Sequence, residues 1–174
     1  MPARLSFVIA AFVSVALLHA ANADAVAAQD MTATGTFGDW QLLTDGANPH
    51  AFCFVTSSPK SSTPKGASRG TPRAYISAWP KDGIKGEVSF MVGFSIKPAS
   101  AGSATIGDNT FVLFGSKDKA FVKDATQELK LVEAMKKGSE IRIEATSERG
   151  TVVSDTYSLA GISEALQKLQ AECF

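Results

Sequence analysis

Near the C-terminus, Ile162, Leu166, Leu169 and Cys173 recur at steps of four, three and four. At about 100° per residue, a helix over this stretch carries all four side chains within one narrow arc. Such a stripe is stable only when it docks on a sheet or another helix, and Cys173 then points where the leucines point. The chain has two cysteines, so Cys53 is the one thiol available to meet it. Cys53 lies between Phe52 and Phe54 in the run His50 to Val55, which is apolar on both faces and reads as a buried strand. The pattern predicts a Cys53–Cys173 disulfide tying the last helix to an early strand. Two separate buried thiols are the alternative.

The N-terminus points to a compartment in which such a bond persists. Arg4 is followed by the apolar run Leu5 to Leu18 and then by Ala20-Ala21-Asn22-Ala23. A basic start, a short apolar core and an A-x-A-like site form a secretory signal peptide, so residues 1–23 are expected to be removed after Ala23, with Ala27 and Ala28 as other small-residue sites. A membrane anchor needs about 20 apolar residues, and this run is shorter. No later stretch is apolar enough to span a bilayer, and no lipobox cysteine follows. The expected location is the oxidising periplasm, the outer surface or the medium, where disulfides survive. Residues 24–36 are small and polar and are expected to be disordered. Residues 37–174 suit one domain with a proper core.

Within that domain the pattern is mostly β. Trp40 to Leu43, Ala74 to Trp79, Ala104 to Ile106, Thr110 to Phe114, Ile141 to Thr146 and Thr151 to Tyr157 read as strands, and Val88, Phe90, Val92 and Phe94 alternate on one face of another. Strands in runs joined by short turns favour antiparallel pairing. Two helices are marked by period and ends. Asp124 and Gln127 resemble a capping box, Leu129, Val132 and Met135 recur at helical spacing, and Gly138 suits a left-handed stop after Lys136 and Lys137. The expected fold is α+β, a predominantly antiparallel sandwich or partly open barrel covered by helices Ala125–Lys137 and Ile162–Cys173.

Chemistry is sparse. Lys plus Arg and Asp plus Glu both total 17, so no net charge draws the chain to nucleic acid. His19 leaves with the signal, which makes His50, in a turn after Asn48-Pro49, the only histidine of the mature chain. Zinc-ligand spacing and phosphate-cradling G-x-x-x-x-G-K loops are missing, so no catalytic, metal or cofactor-binding residue is assigned. The segment Ser57 to Arg73 stands out as a loop of 17 residues that carries Lys60, Lys65, Arg69 and Arg73 and no acid. Long loops of this kind are functional or disordered. These four cations are candidate contacts for an anionic surface or a partner protein, set against the reading of a solvated, mobile loop. Trp40, Trp79 and Tyr157 read as core aromatics rather than as a binding face.

Phe37-Gly38-Asp39-Trp40, Leu131-Val132-Glu133-Ala134-Met135-Lys136-Lys137-Gly138 and Asp155-Thr156-Tyr157-Ser158-Leu159-Ala160-Gly161, with a late cysteine, resemble the invasion-associated locus B family. The resemblance spans about Phe37 to Cys173. It implies an exported envelope protein of alphaproteobacteria with a β-rich fold, and a family name taken from a member linked to host-cell entry. It supplies no catalytic residues. Many members carry further cysteines just after the tryptophan and in mid-chain, positions where this sequence has none. The expected function is that of an exported, non-catalytic interaction protein whose partner is an envelope protein or an anionic surface. A secreted hydrolase built from scattered carboxylates is the alternative.

Overall fold

The computed structural model describes residues 30–174. The expected signal peptide, residues 1–23, lies outside them. The strands are β1 (Met31–Phe37), β2 (Trp40–Asp45), β3 (Cys53–Ser57), β4 (Ser61–Thr63), β5 (Arg73–Trp79), β6 (Ile84–Met91), β7 (Ala101–Ile106), β8 (Asn109–Ser116), β9 (Lys119–Val122), β10 (Glu140–Thr146) and β11 (Val152–Ser158). Helix α1 (Ala125–Lys137) precedes β10, and α2 (Ile162–Cys173) ends the chain. All strands join one sheet in the order β1-β2-β3-β5-β6-β9-β8-β7-β10-β11-β4, and each pairing is antiparallel. The fold is α+β, as the alternation of apolar residues indicates.

This sheet cannot be flat. β3 and β4 stand third and eleventh in the order, a separation of roughly 38 Å at ~4.8 Å per strand. Only Ser58, Pro59 and Lys60 connect them, a reach of about 15 Å at ~3.8 Å per Cα step. The sheet therefore curls until its two ends meet. Trp40 Nε1 donates to the Ser158 carbonyl at 3.0 Å across that meeting. The curl encloses Trp40, Val55, Ile76, Phe90, Leu113, Ile141 and Tyr157, all buried. Helix α2 packs on β1, β2, β3 and β5, and α1 on β6, β8, β9 and α2.

Residues 31–36, which their small, polar composition marks as disordered, belong instead to β1, Met31–Phe37; residues 24–29 of that expected segment lie outside the described residues. None of the residues of β1 is fully buried. Backbone pairing along β2, from Met31 opposite Asp45 to Phe37 opposite Trp40, holds it in place, with a bulge between Ala33 and Gly35. The third strand starts at Cys53 rather than His50, since residues 49–51 turn the chain.

Helix α1 begins as its capping residue dictates, with Asp124 accepting from the Gln127 amide at 2.9 Å. Its core side is Leu131 and Met135, one turn apart, while Leu129 is 69% exposed. Gly138 is not left-handed: its φ of −87° is open to any residue. Glycine is needed there because a Cβ would lie 2.5 Å from Ile106 Cγ2. Close packing accounts for the glycine, and the helix ends where the backbone turns extended at this residue, with ψ 167°.

On the same helix, burial pushes the Glu128 carboxyl above its ordinary value, opposed by the Val88 amide and reinforced by the charge of Glu87. The amide donates to Glu128 Oε1 at 2.7 Å. A folded value above the unfolded one, about 4.3, makes a contribution to stability that is complete below that pH and is lost as pH rises through the folded value. Glu128→Gln keeps the acceptor and removes the titration. The variant should match the wild type in urea unfolding at pH 3 and exceed it at pH 7. Equal stability at both pH values would contradict the assignment.

Candidate functional site

The scaffold around any site is pinned at two places. Cys53 and Cys173 form a disulfide with Cα atoms 6.3 Å apart, joining α2 to β3 across 120 residues. The pairing follows from the local structure. Cys53 faces inward in β3, and α2 buries Ile162, Ala165, Leu166, Leu169 and Cys173 on one stripe. The second pin is the contact between Phe37-Gly38-Asp39-Trp40 and Ser158-Leu159-Ala160-Gly161. The Asp39 amide donates to the Ala160 carbonyl at 3.0 Å. Gly38 (φ 56°) and Gly161 (φ 88°) are both left-handed. A Cβ on Gly161 would fall 2.1 Å from the Phe37 carbonyl oxygen, and one on Gly38 2.4 Å from that of Ala160. Two of the segments that carry the family resemblance thus touch through backbone that only glycine allows.

The basic segment Ser57 to Arg73 is not the free loop its composition suggests. Ser61–Thr63 pairs with β11 as an edge strand, and the Gly70 amide donates to the Gly93 carbonyl at 2.8 Å. Arg69 is turned inward. Its guanidinium makes a two-pronged pair with Asp155, Nη1 lying 2.7 Å from Oδ2 and Nη2 contacting Oδ1, and Nη1 also donates to the Val92 carbonyl at 2.9 Å. Ser62 Oγ donates to Asp155 Oδ1 at 2.6 Å. The side chains of Arg69 and Asp155 are 6% and 3% exposed, and the hydrogen bonds to Asp155 hold the Arg69 guanidinium above its ordinary value. Arg69 is therefore a structural anchor and not a surface contact. An inward-facing acid on β11 needs a buried cation, and this one is supplied from 86 residues away.

The other three cations differ. Lys60 pairs with Asp39 at 2.5 Å while its side chain stays 58% exposed, and that hydrogen bond holds the Asp39 carboxyl below its usual range. Lys65 is exposed and Arg73 is half-buried at the start of β5. The four do not converge on one surface site. Ser68 lies in Gly66-Ala67-Ser68-Arg69-Gly70, which spells G-x-S-x-G. The strand-to-helix turn that makes this pattern a nucleophile elbow is lacking, because the segment runs between β4 and β5. His50 is exposed, its Nδ1 3.4 Å from the Cys173 carbonyl oxygen. Among the described residues, no three His, Cys, Asp or Glu side chains are placed to hold a metal ion.

Trp40 and Tyr157 are core residues, as expected. Burial, together with the charge of Asp155, pushes the Tyr157 hydroxyl far above its ordinary value. Trp79 behaves differently. It is half-buried and stacks on Phe52, with ring centroids 5.0 Å apart. Phe52 meets Phe54 at 5.5 Å, and Phe54 meets Tyr75 edge-on at 5.6 Å. Cys53 faces α2, so by strand alternation Phe54 faces away from it.

Register extends this outer face. Thr56 stands opposite Tyr75, Tyr75 opposite Ser89, Ser89 opposite Phe121, and Phe121 opposite Phe114. Phe114 and Phe121 stack at 5.7 Å, with Phe114 47% and the nearby Val112 68% exposed. Thr56, Ser77 and Ser89 are buried among these rings. Sequence reading missed this row because each ring, taken alone, looks like core. The signal lay in the face opposite Cys53, where Phe52, Phe54, Tyr75 and Trp79 cluster.

No helix among the described residues is long and apolar enough to cross a membrane. The sequence matches the family model described as Invasion associated locus B (IalB) protein over residues 40–170. The crystal structure of invasion associated protein B from Bartonella henselae is similar to this chain, with a TM-score of 0.55 and 18% sequence identity, covering 79% of this chain and 95% of that one. At that identity the likeness speaks for the fold alone. No curated protein matches the sequence. The match extends over most of the chain and includes both the Trp40 contact and the helix that ends at Gly138: the chain belongs to the invasion associated locus B family.

Proposed function

We propose that this protein is an exported interaction module that works without catalysis, presenting its outer aromatic row to a partner protein of the bacterial envelope. One observation carries the reading. Tyr75, Phe121 and Phe114 continue the Phe52–Phe54–Trp79 cluster across β3, β5, β6, β9 and β8, on the side of the sheet that the helices leave uncovered. Aromatic side chains are enriched at the buried centre of protein interfaces, whereas charges are depleted there. An anionic surface is the less favoured partner, because Arg69 is neutralised by Asp155 and Lys60 is engaged by Asp39. Contact with a host cell rests on the family name alone.

Export to the periplasm, the outer surface or the medium supplies the setting, with cleavage after Ala23. The test is a photo-cross-linking residue placed at Tyr75 or Phe114 in intact cells, with Lys168 on the exposed side of α2 as the control. The expected result is a covalent adduct with an envelope protein from the first two positions and not from the third. No adduct from Tyr75 or Phe114, or the same adduct from Lys168, would overturn the proposal.

A further inference from the structure

A second surface, separate from the aromatic row, lies between the helices. Leu129 and Val132 of α1, Leu166 of α2 and Ile76 of β5 line a cleft of about 440 Å³, with the cations Lys85 and Lys136 and three neutral polar residues of α2 completing its lining. The volume falls within the range of small-molecule sites, about 300–1,000 Å³. Its walls are preformed, since the Gln170 side-chain amide donates to the Lys85 carbonyl at 2.8 Å and holds the end of α2 on β6.

Gly86 indicates that the space is kept open. It sits inside β6, where glycine weakens a strand, and its φ is not in the left-handed region. A Cβ there would lie 3.4 Å from Ile76 Cγ2, an ordinary contact. The fold therefore tolerates a side chain at this position, and the missing one leaves room above Ile76. A glycine within a strand marks a bulge or a close approach; the register of β5 and β6 slips here, between Ser77 opposite Glu87 and Trp79 opposite Ile84, and the same glycine leaves the space above Ile76 open. Leu129 adds a second sign: 69% exposed, it borders the cleft instead of serving the core.

We infer that this cleft binds the alkyl chain of a fatty carboxylate, with Lys85 and Lys136 meeting the head group. The apolar part of the lining accepts methylenes, whose burial away from water favours binding. The two lining cations select an anion over a neutral or cationic amphiphile. Lys136 shares its charge with Glu133 at 2.7 Å, but both side chains are exposed, and exposed pairs of this kind are weak enough to yield to a ligand carboxylate.

The test is a titration of the protein, disulfide intact, with dodecanoate below its micelle concentration, followed by amide NMR. Saturable shifts are expected at Gly86, Leu129, Val132 and Leu166. Gly86→Val, which fills the floor, should weaken binding at least tenfold. Leu129→Asp, at a position the core does not use, should do the same. Lys85→Glu combined with Lys136→Glu should weaken dodecanoate and leave dodecanol unchanged. Shifts that never saturate or that map to the outer aromatic row would overturn the inference. So would equal binding by folded Gly86→Val and Leu129→Asp.

Discussion

Reduction of the Cys53–Cys173 bond should lower the free energy of unfolding by about 4–5 kcal/mol. The two cysteines are 120 residues apart. In the chain-entropy treatment, a cross-link closing a loop of that length removes conformations from the unfolded chain worth roughly that amount at 25 °C. Domains of this size are stable by only about 5–15 kcal/mol, so the loss is a large fraction of the whole. It falls first on α2, whose buried stripe is the lid over β2 and β3. Urea unfolding with and without reductant, and of the Cys53→Ala/Cys173→Ala pair, measures it. A change below about 1 kcal/mol would mean that packing alone holds α2.

The second large effect lies at Asp155. Asp155→Ala leaves the Arg69 guanidinium buried without its counter-charge, and breaking a buried pair from one side costs about 3–5 kcal/mol. Low exposure of both side chains keeps the pair largely insensitive to salt. Arg69→Met with Asp155→Leu removes both charges together and should restore most of the stability, because apolar replacement of a buried pair is often neutral. Denaturant unfolding of the single and double variants checks both statements. A double variant no better than Asp155→Ala would show that the hydrogen bonds to Ser62 and Val92, not the charge pair, hold the segment.

Those two features differ in how far the sequence discloses them. The disulfide was legible because a helical stripe aims Cys173 inward and only one other thiol exists. Both helices were legible for a related reason: Asp124 and the period of α2 are local signals, and local signals set helix ends. The Arg69–Asp155 pair joins residues 86 positions apart, and nothing near Arg69 distinguishes it from Lys65. Its one trace is Asp155 itself, an acid on the inward face of β11 between Val153 and Tyr157.

Edge strands were harder still. β1 and β4 bury little side-chain surface and exist because β2 and β11 offer backbone partners, so composition alone reads them as loop. Leu129 shows the remaining difficulty. Its spacing fits a helix core, yet the helix is rotated so that Leu131 and Met135 go inward and Leu129 is left at the cleft.

Export and the closed disulfide go together, since the bond persists only outside the reducing cytoplasm. Intact mass analysis of the protein in separated cell fractions tests this directly. The expected species is found outside the cytoplasm, begins at Asp24, and weighs two hydrogens less than the dithiol chain. A cytoplasmic species that begins at Met1 and retains both thiols would contradict the account.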